Sequence, residues 1–261
     1  MIRVATLFLS LIVGCAAPQV RERSPFSAPD PDRSTPTERL GYRIYQLDQA
    51  AWHATDAAAR SGLQSTPVEG WLVVPRGAGF LVRFIGACAD NPCSHIDIHL
   101  STSGVAPVVE ALNPPIALPR EHAAMWHARQ LASASGFKAC TPNYNTVVIP
   151  VEEQPGLAWR VYLLAASPDS DQIILTGHHR ITVSSDGRTI LESEALSKSC
   201  IVNKAEPGRP LAGLFVTHVL HPEPIETHVF TSLNYQLPLY VGTERGTFKV
   251  DGASIELVEP R

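Results

Sequence analysis

Short apolar runs separated by turn residues fill the chain from residue 70 onward, and this spacing limits the fold more than any other feature. Gly70 to Pro75 (GWLVVP) and Phe80 to Ile85 (FLVRFI) flank Arg76-Gly77-Ala78-Gly79 and read as a hairpin. Ser94 to Leu100 (SHIDIHL) alternates strictly, with the period of a half-buried strand. Thr146 to Val151, Ala158 to Ala165 and Ile173 to Thr176 read as buried strands. Arg180 to Ser184 and Arg188 to Leu191 enclose Asp186-Gly187, the strongest hairpin signal in the chain. Leu214 to Leu220, Thr227 to Leu233, Leu237 to Thr243, Gly246 to Val250 and Ser254 to Val258 continue the pattern. Strands this short with brief connections favour antiparallel pairing, since a parallel pair needs a crossover of about a dozen residues or more. Two segments carry helical signatures instead. Gln46 to Arg60 is Ala-rich, with Asp48 as a candidate cap and Ser61-Gly62 as a stop. Glu121 to Ser135 lies between Pro119 and Gly136. The expected fold is α+β: one antiparallel β-rich domain with about two helices over residues 39–261, disulfide-stabilised, with a division into subdomains near residue 140 left open.

Cysteine usage supports that stabilisation. Cys88, Cys93, Cys140 and Cys200 lie within the predicted domain, and Cys15 precedes it. An even set suggests two disulfides formed in an oxidising compartment. Four cysteines permit three pairings. Asn91-Pro92 favours a turn that brings Cys88 and Cys93 within bridging range, and Cys140 and Cys200 then pair by elimination. Four buried free thiols are the alternative. A four-cysteine zinc site is disfavoured, because the chain has no C-x-x-C pair.

The first residues read as an address. Arg3 supplies a positive start, and Val4 to Gly14 is an apolar stretch too short to span a bilayer as a helix. It ends in Leu11-Ile12-Val13-Gly14-Cys15, which resembles the lipobox of bacterial lipoproteins. The resemblance implies a signal peptide over 1–14, cleavage before Cys15, and acylation (palmitate included) of that residue. An ordinary signal peptide cut near Ala16-Ala17 is the alternative. Ala16 follows Cys15, not Asp, which by resemblance to the Gram-negative sorting pattern implies the outer membrane, facing the periplasm. From Cys15 to residue 38 the chain is rich in Pro, Ser and Thr without apolar periodicity, as expected of an extended tether reaching about 70 Å. The folded part is expected to start near Leu40 or Tyr42. A weaker resemblance covers YNTVVIP, WRVYLLAA and GHHRITVSSDG, between residues 144 and 187. These strings are similar to a group of proteobacterial proteins of unknown function, and they assign no role to any residue.

Charge and motif content narrow the function by exclusion. A net charge of −4 argues against a phosphate-backbone partner, so no nucleic acid is expected. No G-x-S-x-G, P-loop, G-x-G-x-x-G or calcium loop occurs, and no cofactor is implied. His95, Asp97 and His99 alternate on one predicted strand face. Neighbours there are about 6.8 Å apart, so one strand supplies at most two ligands to a metal. A solvated polar face explains the same alternation. His178 and His228 could complete a ligand set across strands. Glu226 and His228 share a face if Thr227 to Leu233 is a strand, whereas His178-His179 and His218/His221 are each expected to split between faces. The four Trp sit in apolar patterns that suit core packing. The expected function is therefore a membrane-anchored periplasmic lipoprotein acting as a non-enzymatic binding module, in an inhibitor or accessory role. Its expected partners are the membrane, through the anchor, and an envelope or secreted protein. The alternative is a tethered metal-dependent hydrolase with His ligands from several strands.

Overall fold

The computed structural model describes residues 29–88, 91–151, 158–167, 169, 171–205, 208 and 211–260. The proposed signal peptide, Cys15 and most of the tether lie outside the described residues. The first sheet is an antiparallel meander of β1 (Gly70–Arg76), β2 (Gly79–Cys88), β3 (Asn91–Ser101) and β4 (Val108–Ala117), in that order. Helix α2 (Arg120–Ser133) leads to a second antiparallel sheet. Its order is β5 (Asn143–Pro150), β6 (Ala158–Ala166), β8 (His179–Ser184) and β9 (Ile190–Ala195). Short strands β7 (Gln172–Ile174) and β10 (Val202–Lys204) pair with each other. The last sheet is β11 (Leu214–Thr217), β12 (Leu239–Thr243), β13 (Gly246–Asp251) and β14 (Ser254–Pro260). The domain is α+β with mainly antiparallel sheets and three helices among the described residues.

Three local expectations are corrected. Helix α1 spans Pro36–Arg60, so it begins well before Gln46, and order starts before Leu40. Its true N-cap is Thr35, not Asp48. The Glu38 amide donates to Thr35 Oγ1 at 3.2 Å, and the Thr35 amide donates to Glu38 Oε2 at 2.6 Å. This is a reciprocal capping box with Pro at the first helical turn, where a missing N–H costs nothing. The other Glu38 oxygen accepts the Ile255 amide at 2.7 Å, fastening the helix start to β14. Second, Thr227 to Leu233 is not a strand. It belongs to helix α3 (Glu226–Tyr235), the crossover between β11 and β12, which pair in parallel. Its β-branched residues mimic a strand, but Val229 packs on the last sheet and Phe230 on the core under α1, as a helix allows. Third, β4 carries Pro114 and Pro115, which hid it from a periodicity argument; an edge strand tolerates them.

Helix α1 covers one face of the first two four-stranded sheets. Ile44, Leu47 and Ala54 meet Phe84, Ile96 and Ile98 from β2 and β3, and also Val147, Ile149 and Leu164 from β5 and β6. This core runs across residue 140 without a break. Helix α2 covers the opposite side, with Met125 and Trp126 against Leu72, Ile85, Val148 and Trp159. Helices α1 and α3 cross at Gly41. A Cβ there would overlap the Val229 side chain and the Glu226 carbonyl oxygen, so the crossing requires glycine. Trp52 departs from the core expectation: it is 56% exposed and lies against the His53 ring at 4.8 Å.

Both cysteine pairs form as expected, but Asn91-Pro92 is not the turn: it opens β3 and pairs with Cys88 and Ala87 of β2. Cys88 and Cys93 have Cα atoms 5.7 Å apart, and Cys140 and Cys200 5.5 Å. The second bridge sits on Gly177, whose φ of +95° and contact with the Cys140 side chain leave no room for a Cβ. Tyr144 ties the same corner, accepting the Cys140 amide at 2.7 Å and donating to the Gly177 carbonyl at 2.9 Å.

Candidate functional site

Two buried charges lie on opposite faces of β5. Asn145 faces α1 and donates its amide to Asp48 Oδ1 at 2.9 Å. Thr146 faces α2 and accepts from Arg129 Nε at 2.6 Å. The Arg129 guanidinium is held between the Trp71 and Trp126 rings, at 5.1 and 5.2 Å from their centroids. Burial lowers its pKa to about 10. Asp48 is the more telling of the two, because it borders open space. A groove of about 330 Å³ opens over it, between the end of β6 and helix α3. Phe230, Asn234 and Tyr235 of α3 form one wall, and Asp169 stands at the rim. The Tyr235 hydroxyl oxygen already accepts the Ile174 amide at 2.8 Å, which leaves its proton free to donate. Burial raises the Asp48 pKa from 3.8 to about 6, opposed by the Asn145 hydrogen bond.

Asp48 lies on the apolar stripe of α1, between Ile44 and Ala51 at helical spacing. A carboxylate in such a stripe is a sequence signal, but it shows only when the helix is extended back to Pro36. With the helix started at Gln46, Asp48 looks like a cap.

The second polar feature is a network beneath α3. Arg180 on β8 donates to Glu194 on β9 through Nη2 at 2.6 Å and to Glu226 through Nη1 at 2.5 Å. Tyr162 on β6 donates to the same Glu226 oxygen at 2.7 Å. His221 Nε2 lies 3.3 Å from Glu194 Oε1. His218 stacks on His221 with centroids 5.6 Å apart, and it meets His228 edge-on at 4.7 Å. The expected split of His218 and His221 is thus overturned: β11 ends at Thr217, and the turn after it brings the rings together. Glu226 and His228 do not share a face either. On a helix the two point apart, Glu226 to Arg180 and His228 back to the helix start.

Hydrogen bonding fixes the chemistry of the two singled-out buried histidines. His178 Nδ1 accepts the Ala165 amide at 3.0 Å, and His228 Nδ1 accepts the Ile225 amide at 3.0 Å. A ring nitrogen that accepts a backbone N–H has no lone pair left for a metal, so the proton sits on Nε2. Both rings are then neutral donors. Burial lowers the His178 pKa from 6.5 to about 4, and the neighbouring His179 adds to this. Burial, then the charges of His218, His178 and His221, holds His228 well below the usual histidine range. His178 and His179 do face opposite ways, His178 toward Phe230 and His179 toward Phe137 and Tyr144.

The β3 candidates are spread apart. Asp97 is buried, 3.2 Å from Arg83 Nη2, and accepts from Ser94 Oγ at 2.5 Å. His99 lies 3.8 Å from Glu110. His95 falls at a register shift between Ser94 and Ile96, and its Nε2 packs over Gly86. Among the described residues no group of three or more His, Cys, Asp or Glu has the geometry to hold a metal ion. The chain matches no protein-family model, and no curated protein or solved structure matches it significantly.

Asp48 and His178 pull the pH dependence of stability in opposite directions. His178 contributes stability that is fully present above pH 6.5 and is lost as the pH falls through 4, about 3 kcal/mol in all. His228 adds to the loss in acid. Asp48 contributes stability fully present below pH 3.8 that is lost as the pH rises through 6, again about 3 kcal/mol. Asp48→Asn removes only the second effect. Its stability relative to the parent is therefore expected to rise by about 2 kcal/mol between pH 4 and pH 7, read from urea midpoints at both. A difference that does not change with pH would show that Asp48 titrates as an exposed carboxylate.

Proposed function

We propose that the chain is an exported lipoprotein, cleaved before Cys15, acylated there and held at the periplasmic face of the outer membrane. The folded domain then acts as a non-enzymatic binding module for an envelope or secreted protein. The observation that carries this reading is the cysteine arrangement. Four of the five cysteines pair within the domain, and the odd one stands at the end of an apolar leader. Paired cysteines suit an oxidising compartment, and an acylated cysteine with two or more chains suits stable anchoring. No helix among the described residues is long and apolar enough to cross a membrane. The binding role is favoured over metal-dependent hydrolysis because the Nδ1 atoms of His178 and His228 are already occupied. An open groove beside α3 offers a recognition surface.

Cys15→Ser is expected to abolish incorporation of labelled palmitate and to shift the protein from the membrane to the soluble fraction. Unchanged membrane retention and labelling would defeat the anchor. For the binding role, pull-down from envelope extracts is expected to recover a partner that chelator does not release. Stoichiometric zinc retained through dialysis, with hydrolytic turnover lost on removing it, would overturn that role.

A further inference from the structure

We propose that the groove over Asp48 is a binding site for an organic cation: a primary ammonium or guanidinium on a slim aliphatic stem. The inference is independent of the anchor and of partner capture, and its test can fail while theirs succeed.

The Asp48 carboxylate is an unbalanced charge. Asp48 is 6% exposed, and its hydrogen-bond donor is the neutral Asn145 amide. No Lys, Arg or His lies among the described residues that line the groove. Of the other buried carboxylates, Asp97 has Arg83 and Glu226 has Arg180 beside it, and Glu38 accepts two backbone amides at the start of α1, whereas Asp48 has one neutral side-chain donor. A buried carboxylate without a counter-ion is costly, and the cost falls when a cation is brought to it. The Asp48 carboxyl borders the groove, so that cation can come from outside.

The walls suit the rest of such a ligand. Phe230 and Tyr235 offer aromatic surface to an aliphatic stem or to the face of a cation. Asp169, at the mouth, adds a second negative charge that would draw cations inward. Gln172 donates to Asp169 Oδ2 at 2.7 Å and fixes that carboxylate in place. A volume of about 330 Å³ admits a diamine or a lysine side chain with water. Among the described residues an anion would meet two carboxylates and no positive side chain.

The other buried charge, Arg129, carries no such inference, since two Trp rings and Thr146 enclose its guanidinium.

The test is calorimetric titration of the full-length protein at pH 7.5. The probes are 1,5-diaminopentane, an N-acetylated and C-amidated tripeptide with central lysine, and the same tripeptide with norleucine. At least one amine probe is expected to bind with a Kd below about 1 mM, and the norleucine peptide not at all. A preference for the diamine identifies a small free amine as the ligand, and a preference for the lysine peptide identifies a basic side chain of a protein. Asp48→Asn, which keeps the size of the side chain, is expected to weaken binding at least about tenfold. Asn234→Lys, on the exposed rim of α3, places an ammonium at the mouth and is expected to abolish binding even if Asp48→Asn does not fold. No heat from either amine, or equal binding by the parent and a folded Asp48→Asn variant, would overturn the proposal.

Discussion

Glu226→Ala is expected to lower the unfolding free energy by about 3–5 kcal/mol, one of the two largest effects anticipated for this protein. Glu226 is 4% exposed and holds two partners through one oxygen, the Arg180 guanidinium and the Tyr162 hydroxyl. Truncation leaves the Tyr162 proton without its acceptor, deep among β6 residues that are almost wholly buried. It also leaves Arg180 with Glu194 alone. Burial opposes the charge of Arg180, but Glu226 and Glu194 more than offset this and raise its pKa. Most of the penalty is thus desolvation of the abandoned partners, not the value of the pair itself. The double variant Arg180→Met with Glu226→Leu is expected to recover much of the loss, because it removes both charges together. Urea unfolding of both variants beside the parent decides the point. A loss under about 1 kcal/mol for Glu226→Ala would mean that the pair behaves as an exposed one.

Loss of the Cys140–Cys200 bridge is expected to cost about 4 kcal/mol, and loss of Cys88–Cys93 about 2 kcal/mol, from the loop-length dependence of chain entropy. The difference comes from sequence separation, 60 residues against 5. The long bridge also anchors a corner built from hydrogen bonds between distant segments. Thr176 Oγ1 donates to the Ser199 carbonyl at 2.7 Å and accepts the Ile201 amide at 2.8 Å. Ser197 Oγ accepts the Gly177 amide at 2.9 Å. These contacts join the β7–β8 connection to the segment after β9, and they depend on the two chains staying close. Cys140→Ser with Cys200→Ser is therefore expected to unfold at distinctly lower urea than Cys88→Ser with Cys93→Ser. Equal midpoints for the two double variants would show that loop entropy does not govern their stability.

The parts of the fold that could be read from the sequence are those set by local chemistry. The β1–β2 and β8–β9 hairpins follow from Gly-containing breaks between β-rich runs. The short spacing of Cys88 and Cys93 and the even cysteine count indicate both disulfides, although Asn91-Pro92 opens β3 and is not itself the turn. Helix α2 follows from Pro119 at its cap and a following run without Gly or Pro. The start of α1 was also present in the sequence, as Thr35-Pro36-Thr37-Glu38, but its proline resembles those of the tether around it.

The site belongs to the tertiary structure. Periodicity cannot separate helix from strand in a short β-branched run, so Thr227 to Leu233 reads as a strand until it must cross between the parallel β11 and β12. Once it is a helix, Glu226 turns to Arg180 and Tyr162, and Phe230, Asn234 and Tyr235 become a wall facing Asp48. The groove draws on α1, β5, β6 and α3, segments up to nearly two hundred residues apart, and no local spacing encodes their meeting. Local rules determined which segments are helix or strand and which cysteines lie near each other. Packing of α1 and α3 across the sheets decided that one carboxylate would be buried at the edge of open space with no cation beside it among the described residues, because burial and charge balance are properties of neighbours brought together only by the fold.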